Sequence, residues 1–136
     1  MPKIGYFPGA WDLLHVGHIR ALEEAKQHCD YLIVGLGECP HVGNLHKHIP
    51  ILSLQERYEL LRANKFIDAI VVYKSEYDSI ALDTWFPYDV RFMGSDHKHN
   101  RKNHEKRIKK KIIYLSRNHN YSSSELRKRI HAMPSL

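Results

Sequence analysis

Residues 3–36 read KIGYFPGAWDLLHVGHIRALEEAKQHCDYLIVGL, and the order of patterns inside that stretch decides the fold. Lys3 to Phe7 is a short β-prone run that stops at Pro8-Gly9, a pair that breaks regular structure and lets backbone come close to something else. From His18 to Gln27 the apolar Ile19, Leu22 and Ala25 recur at helical spacing, with Arg20, Glu23, Glu24 and Lys26 on the opposite side. Tyr31 to Leu36 is a continuous apolar stretch bounded by Asp30 and Gly37, which suits a strand buried on both faces. The opening is therefore β-α-β.

The alternation continues to the end of the chain. Ser53-Leu-Gln-Glu56 has the S-x-x-E form of a capping box and opens a helix reaching about Asn64. Ala69 to Tyr73 is the next strand, Ser75 to about Thr84 a third helix, and Val90 to Met93 a fourth strand ending at Gly94. Lys111 to Leu115 gives a fifth strand, and Ser122-Ser-Ser-Glu125 is a second capping box that starts a helix through Ile130. Parallel neighbours need crossover connections, so this alternation predicts an α/β, Rossmann-like sheet of about five mostly parallel strands with helices on both faces. Ligands belong at the carboxyl ends of such strands.

The 136 residues suit one domain spanning 1–136, and 43% hydrophobic with 26% charged residues excludes a disordered chain. A formal charge of +6 favours anionic partners without choosing among nucleic acid, lipid surface and phosphorylated small molecules. Cys29 and Cys39 have neither CxxC spacing nor the number needed for a disulfide framework, which predicts a reducing compartment. No apolar run approaches the roughly 20 residues of a membrane span, and the start lacks a signal peptide's apolar region; a cytoplasmic location is expected.

His15-Val-Gly-His18 falls where the first strand turns into the first helix, beside a helix N-terminus that attracts anions. Two imidazole donors suit a polyphosphate, whose transfer asks for positioning and positive charge, and Gly17 allows close approach. In a chain with eleven histidines, two solvent-facing rings are the bland alternative. A metal pair lacks a third ligand of suitable spacing. Arg117 with Ser122, Ser123 and Ser124 forms a second candidate phosphate cradle, since capping alone explains one serine but not three. Lys47, in a long loop after the second strand, is placed either to fold over a bound anion or simply to be solvated. Lys98 to Lys111 is a basic run without interleaved aromatics, which argues against a nucleic-acid stacking platform and for a solvated connecting helix, at a subunit contact or near phosphate.

Gly9-Ala-Trp-Asp-Leu-Leu-His-Val-Gly-His18 resembles the G-[TC]-F-D-L-L-H-x-G-H signature of the cytidylyltransferases, within the HxGH nucleotidyltransferase superfamily. Lys47-His-Ile-Pro-Ile-Leu-Ser-Leu-Gln-Glu-Arg-Tyr58 is similar to the lysine, proline and E-R-Y segment of the phosphocholine and phosphoethanolamine enzymes. Arg117-Asn-His-Asn-Tyr-Ser-Ser-Ser124 resembles the closing R-T-E-G-I-S-T-[ST] motif. The compact size is most similar to the bacterial glycerol-3-phosphate cytidylyltransferases.

That resemblance implies attack of an alcohol phosphate on the α-phosphorus of CTP, giving a CDP-alcohol and pyrophosphate. It implies catalytic roles for His15, His18, Lys47, Arg117 and Ser123. Nucleotide contacts would come from Gly9, Ala10, Trp11, Gly17, Gly94, Asp96, Ser122 and Ser124, and acceptor contacts from Asp12 and Arg57. Magnesium would accompany the nucleotide, and family members are commonly homodimers. Ala10, Trp11, Ser95 and Asn118 to Tyr121 depart from the motifs, which leaves the acceptor pocket open in shape. Trp11, Tyr77 and Trp85 offer either an aromatic wall for a quaternary ammonium or ordinary core. Glycerol 3-phosphate is the first acceptor expected, then phosphocholine or phosphoethanolamine; the rivals are an ATP-using adenylyltransferase and a non-catalytic nucleotide- or nucleic-acid-binding module.

Overall fold

A computed structural model describes residues 1–94, 108–116 and 121–135. Its elements follow the predicted order: β1 (Ile4–Gly9), α1 (Val16–Gln27), β2 (Tyr31–Cys39), α2 (Leu54–Arg62), β3 (Ala69–Ser75), α3 (Glu76–Trp85), β4 (Val90–Gly94), β5 (Lys111–Leu115) and α4 (Ser123–Ala132). The five strands form one sheet in the order β3-β2-β1-β4-β5, and every neighbouring pair is parallel. Right-handed crossovers place α1 and α2 on one face and return α3 across the other.

The two faces are built differently. On one, Leu22 and Ala25 of α1 and Leu61 of α2 close over Leu32, Val34, Leu36, Val90 and Phe92, all essentially excluded from water. On the other, α3 covers a more polar layer in which buried Arg91 pairs with Asp83, Nε to Oδ1 at 2.9 Å, beside Tyr6 and Tyr88.

Strand order reverses direction at β1, and the ladder there explains one departure from the sequence reading. β1 runs through Pro8 and Gly9, pairing with Gly35 and Leu36, instead of stopping at Phe7. Its ladder to β4 covers only Gly5 and Tyr6. Beyond Tyr6 the strand is bonded on one side alone, where a residue without an N–H is tolerated. The same parting of β1 from β4 opens the sheet into a cleft, at the switch point where α/β folds bind ligands.

The other departures are local. β2 extends to Cys39 and β3 to Ser75, because their mutual pairing continues to that last pair. α1 begins at Val16 rather than His18, since His15 is its N-cap. Ser122 caps α4 by accepting from the Glu125 N–H at 3.0 Å. No helix among the described residues is long and apolar enough to cross a membrane.

Candidate active site

The turn after β1 is held in a tense conformation. Trp11 and Leu13 both have positive φ, 55° and 49°, a region that costs a bulky residue roughly 1–2 kcal/mol. Tertiary contacts hold it: the Trp11 indole N–H donates to the Gly35 carbonyl at 3.0 Å, and its ring meets Phe7 edge-on at 4.8 Å. Between them, the Asp12 carboxylate accepts the N–H groups of Ile51 and Leu52 at 2.8 and 2.9 Å.

The histidine pair emerges from this turn as a capping device. His15 Nδ1 accepts from the Gly17 N–H at 3.0 Å, and His18 Nδ1 accepts from the His15 N–H at 3.1 Å. An imidazole that accepts at Nδ1 carries its neutral proton on Nε2, so both rings present an Nε2–H donor at the helix N-terminus. The rings lie 4.0 Å apart, and His18 also packs near Trp11. Burial, reinforced by the neighbouring His15, pushes the His18 pKa down to about 3 despite the opposing pull of Asp12. His18 is therefore an uncharged donor at neutral pH. Gly17 has a steric reason: a Cβ there would come within 2.8 Å of the His15 ring and 2.9 Å of Tyr121 Cβ.

The His18 shift has a stability consequence with a definite sign. An unfolded histidine titrates near pH 6.5. Between that value and about 3 the unfolded chain binds the extra proton, so stability falls as pH is lowered, by at most about 1.4 kcal/mol per unit. His18→Asn should flatten this part of the profile; melts from pH 7 to 4 check it, and parallel slopes would assign the loss elsewhere.

The last helix closes the other side. Ser123 Oγ lies 3.4 Å from His15 Nε2, which brings the histidine and serine segments together across 108 residues of sequence. A cavity of about 480 Å³ opens between them. From the first turn it is lined by Gly9, Ala10, Trp11, Asp12, His15, Gly17 and His18; from the other segments by Lys47, Gly94, Ser122, Ser123 and Ser124. Asp96 and Arg117 lie outside the described residues, as does the basic run up to Arg107.

Two expectations change in position. Arg57 is buried and does not line the cavity: Nε donates to Leu52 O, Nη1 to the carbonyls of Ala10 and Gly37, and Nη2 to Glu38 O. It ties the first turn, the end of β2 and the start of α2 together, away from the cavity lining. The aromatic wall does not form. Trp11 is buried with its N–H used, whereas Tyr77 and Trp85 are 68% and 66% exposed on α3 and line no part of the cleft. Asp12 lines the cavity, but its carboxylate is engaged by backbone and by Arg127 Nη2 at 3.5 Å.

Arg127 was missed in the sequence. It lines the cavity from α4, four residues after Ser123, and the i, i+4 spacing that puts both on one helix face was the available signal.

Residues 6–129 match the family model described as cytidylyltransferase-like. The chain belongs to the cytidylyltransferase-like family. Among curated relatives it is 36% identical over 96 residues to the bifunctional protein HldE of Hyphomonas neptunium, covering 70% of this chain but 20% of that one. It is 32% identical over 105 residues to the FAD synthase of Thermococcus sibiricus, covering 77% and 71% of the two chains. It is 37% identical over 70 residues to a probable ethanolamine-phosphate cytidylyltransferase of Encephalitozoon cuniculi, covering 52% and 22%. The chain thus spans about a fifth of the HldE relatives it matches. The lipopolysaccharide core biosynthesis protein of Thermoplasma volcanium shares the fold, with a TM-score of 0.69, 23% identity, and coverage of 88% and 100%.

Proposed function

We propose that the protein transfers CMP from CTP to a small alcohol phosphate, with glycerol 3-phosphate the first candidate. A phosphate oxygen of the acceptor forms a bond to the α-phosphorus while the bond from that phosphorus to the β-bridging oxygen breaks, and pyrophosphate leaves with the electron pair. The observation that carries the reading is the 3.4 Å approach of Ser123 Oγ to His15 Nε2, because it converges two donor segments on one anion-sized space beside two helix N-termini. Donors fixed in advance at the point where charge develops lower the barrier without reorganising. His15 and His18 Nε2–H, Ser123 and Arg127 are the groups proposed to act so, with Lys47 proposed to help hold the nucleotide.

Magnesium is proposed to arrive on the nucleotide. Mg²⁺ keeps waters and takes substrate phosphates as ligands, and Asp12, the one carboxylate lining the larger cavity among the described residues, already accepts two backbone N–H groups. The ion's chemistry is to neutralise phosphate charge; the side chains orient the triphosphate.

Incubating the protein with magnesium, glycerol 3-phosphate and each nucleoside triphosphate, with pyrophosphate release as readout, tests the reading. Turnover with CTP is expected. Robust turnover with ATP and none with CTP would transfer the protein to the adenylyl class, a second reading favoured by the FAD synthase likeness. Lys47, exposed on the loop over the cleft, should act mainly in nucleotide capture. Lys47→Ala is expected to raise the KM for CTP about tenfold, the order of one charge-assisted contact, and to change kcat little. An unaltered KM would leave Lys47 a solvated side chain.

A further inference from the structure

Helix α1 carries the histidine pair at its start and, further along, Gly17, Arg20 and Glu24 at the i, i+3, i+7 spacing that puts three residues on one face. That face meets the chain on both sides of residues 117–120. The Arg20 guanidinium lies over the Tyr121 ring, 5.4 Å from its centroid. The Glu24 carboxylate accepts the Ser116 backbone N–H at Oε2, 2.9 Å away, and the Ser116 hydroxyl at Oε1. We propose, resting on the transfer reading above, that Arg20 and Glu24 are positioning residues: they fasten the chain entering α4 to the helix that bears His15 and His18, and thereby set Ser123 against the bound triphosphate.

Helix α4 depends on such fastening. None of its described residues is buried, and its contacts with Asp12 and His15 are long, 3.5 and 3.4 Å. An element with so little buried surface opens easily, so whatever grips the chain just before Ser122 governs where the Ser123 hydroxyl stands. Tyr121 is that neighbour: it lines the cavity and directly precedes Ser122, the N-cap of α4. Gly17 lets it approach, since a Cβ there would come within 2.9 Å of Tyr121 Cβ.

The second fastening begins where the sheet ends. The ladder of β4 and β5 stops at Gly94 and Leu115, so the Ser116 N–H falls beyond it and finds its acceptor on α1, 92 positions away in sequence. A carboxylate that takes both donors of one residue fixes that residue's direction as well as its distance. Ser116 lines the cavity and directly precedes Arg117, a donor that the resemblance implies. Tyr121 stands where the resembling motif has isoleucine, a side chain that offers a cation no π face. The grip of Arg20 therefore falls on one of the positions at which this chain departs from the motif.

Glu24→Ala, Glu24→Gln and Arg20→Ala are compared with the parent by kinetics with CTP, magnesium and glycerol 3-phosphate, by calorimetric titration of inorganic tripolyphosphate, and by thermal melts. Glu24→Ala is expected to lower kcat/KM for CTP about tenfold and to weaken tripolyphosphate binding about fivefold, the order of one charge-assisted contact. The KM for glycerol 3-phosphate should stay within twofold. The melting temperature should move by less than about 3 °C, because the contact lies at the surface. Glu24→Gln keeps an oxygen for the N–H and an amide for the hydroxyl, and should bring kcat/KM back to within about threefold of the parent. Arg20→Ala should act in the same direction by about threefold, as an exposed cation–π contact does; if Glu24→Ala does not fold, Arg20→Ala decides at that level. Unchanged kcat/KM and tripolyphosphate affinity in Glu24→Ala, or a loss that Glu24→Gln does not recover, overturns the assignment. If the parent releases no pyrophosphate with any nucleoside triphosphate, the transfer reading fails, and the tripolyphosphate titrations alone decide the positioning role by the same fivefold measure.

Discussion

Replacing His18 by alanine is expected to cut turnover by two to three orders of magnitude, the usual cost of deleting one preorganised donor aimed at developing charge. Three features of the ring make the expectation specific. Its Nδ1 is occupied by the His15 N–H, its Nε2 proton is free to be presented, and burial keeps it neutral until a polyanion arrives. The fold should survive, because the lost cap costs on the order of 1 kcal/mol. His18→Asn retains an N–H donor near the same place and should recover part of the rate. The kinetic signature is a fall in kcat larger than any rise in KM, since a transition-state contact is being removed. A His18→Ala enzyme within threefold of the parent kcat would take the ring out of the chemistry.

Arg57→Ala should produce the largest stability loss of any single change, about 3–5 kcal/mol. The guanidinium donates to four carbonyls from three chain segments, with only 2% of the residue exposed. Truncation leaves those carbonyls without their donor in a space that water cannot readily refill. In a domain of this size the melting temperature should drop by about 10 °C or more. Arg57→Lys should not restore it, because one ammonium cannot reach carbonyls that a planar fork spans. Thermal melts of the three proteins decide the matter; a shift under 3 °C would show that the four bonds are easily replaced by solvent. Activity should fall with stability in Arg57→Ala, whereas in His18→Ala the two should separate.

The contrast between these residues marks how far the sequence could be read. His15, Gly17 and His18 were legible because a strand-breaking Pro-Gly pair and a helical period bracket them, which placed them at a helix start before any coordinates. The resemblance set Arg57 on the acceptor, yet its four partners lie at positions 10, 37, 38 and 52 and meet only once β1, β2 and α2 have packed. Arg127 sat within reach of the i, i+4 rule, but its neighbour Asp12 comes from the far end of the chain. A histidine cap carries no S-x-x-E signature in the sequence, although an imidazole Nδ1 accepts a backbone N–H as well as a hydroxyl does.

By itself the sequence determined the strand and helix order, the parallel sheet, and the two donor segments, since periodicity and capping are local properties that every ten-residue window displays. Only the tertiary structure decided that β1 parts from β4 after Tyr6 and that His15 and Ser123 face each other. Those facts depend on distances between residues remote in the chain, and such distances are fixed by packing the two faces of the sheet, which no local pattern encodes.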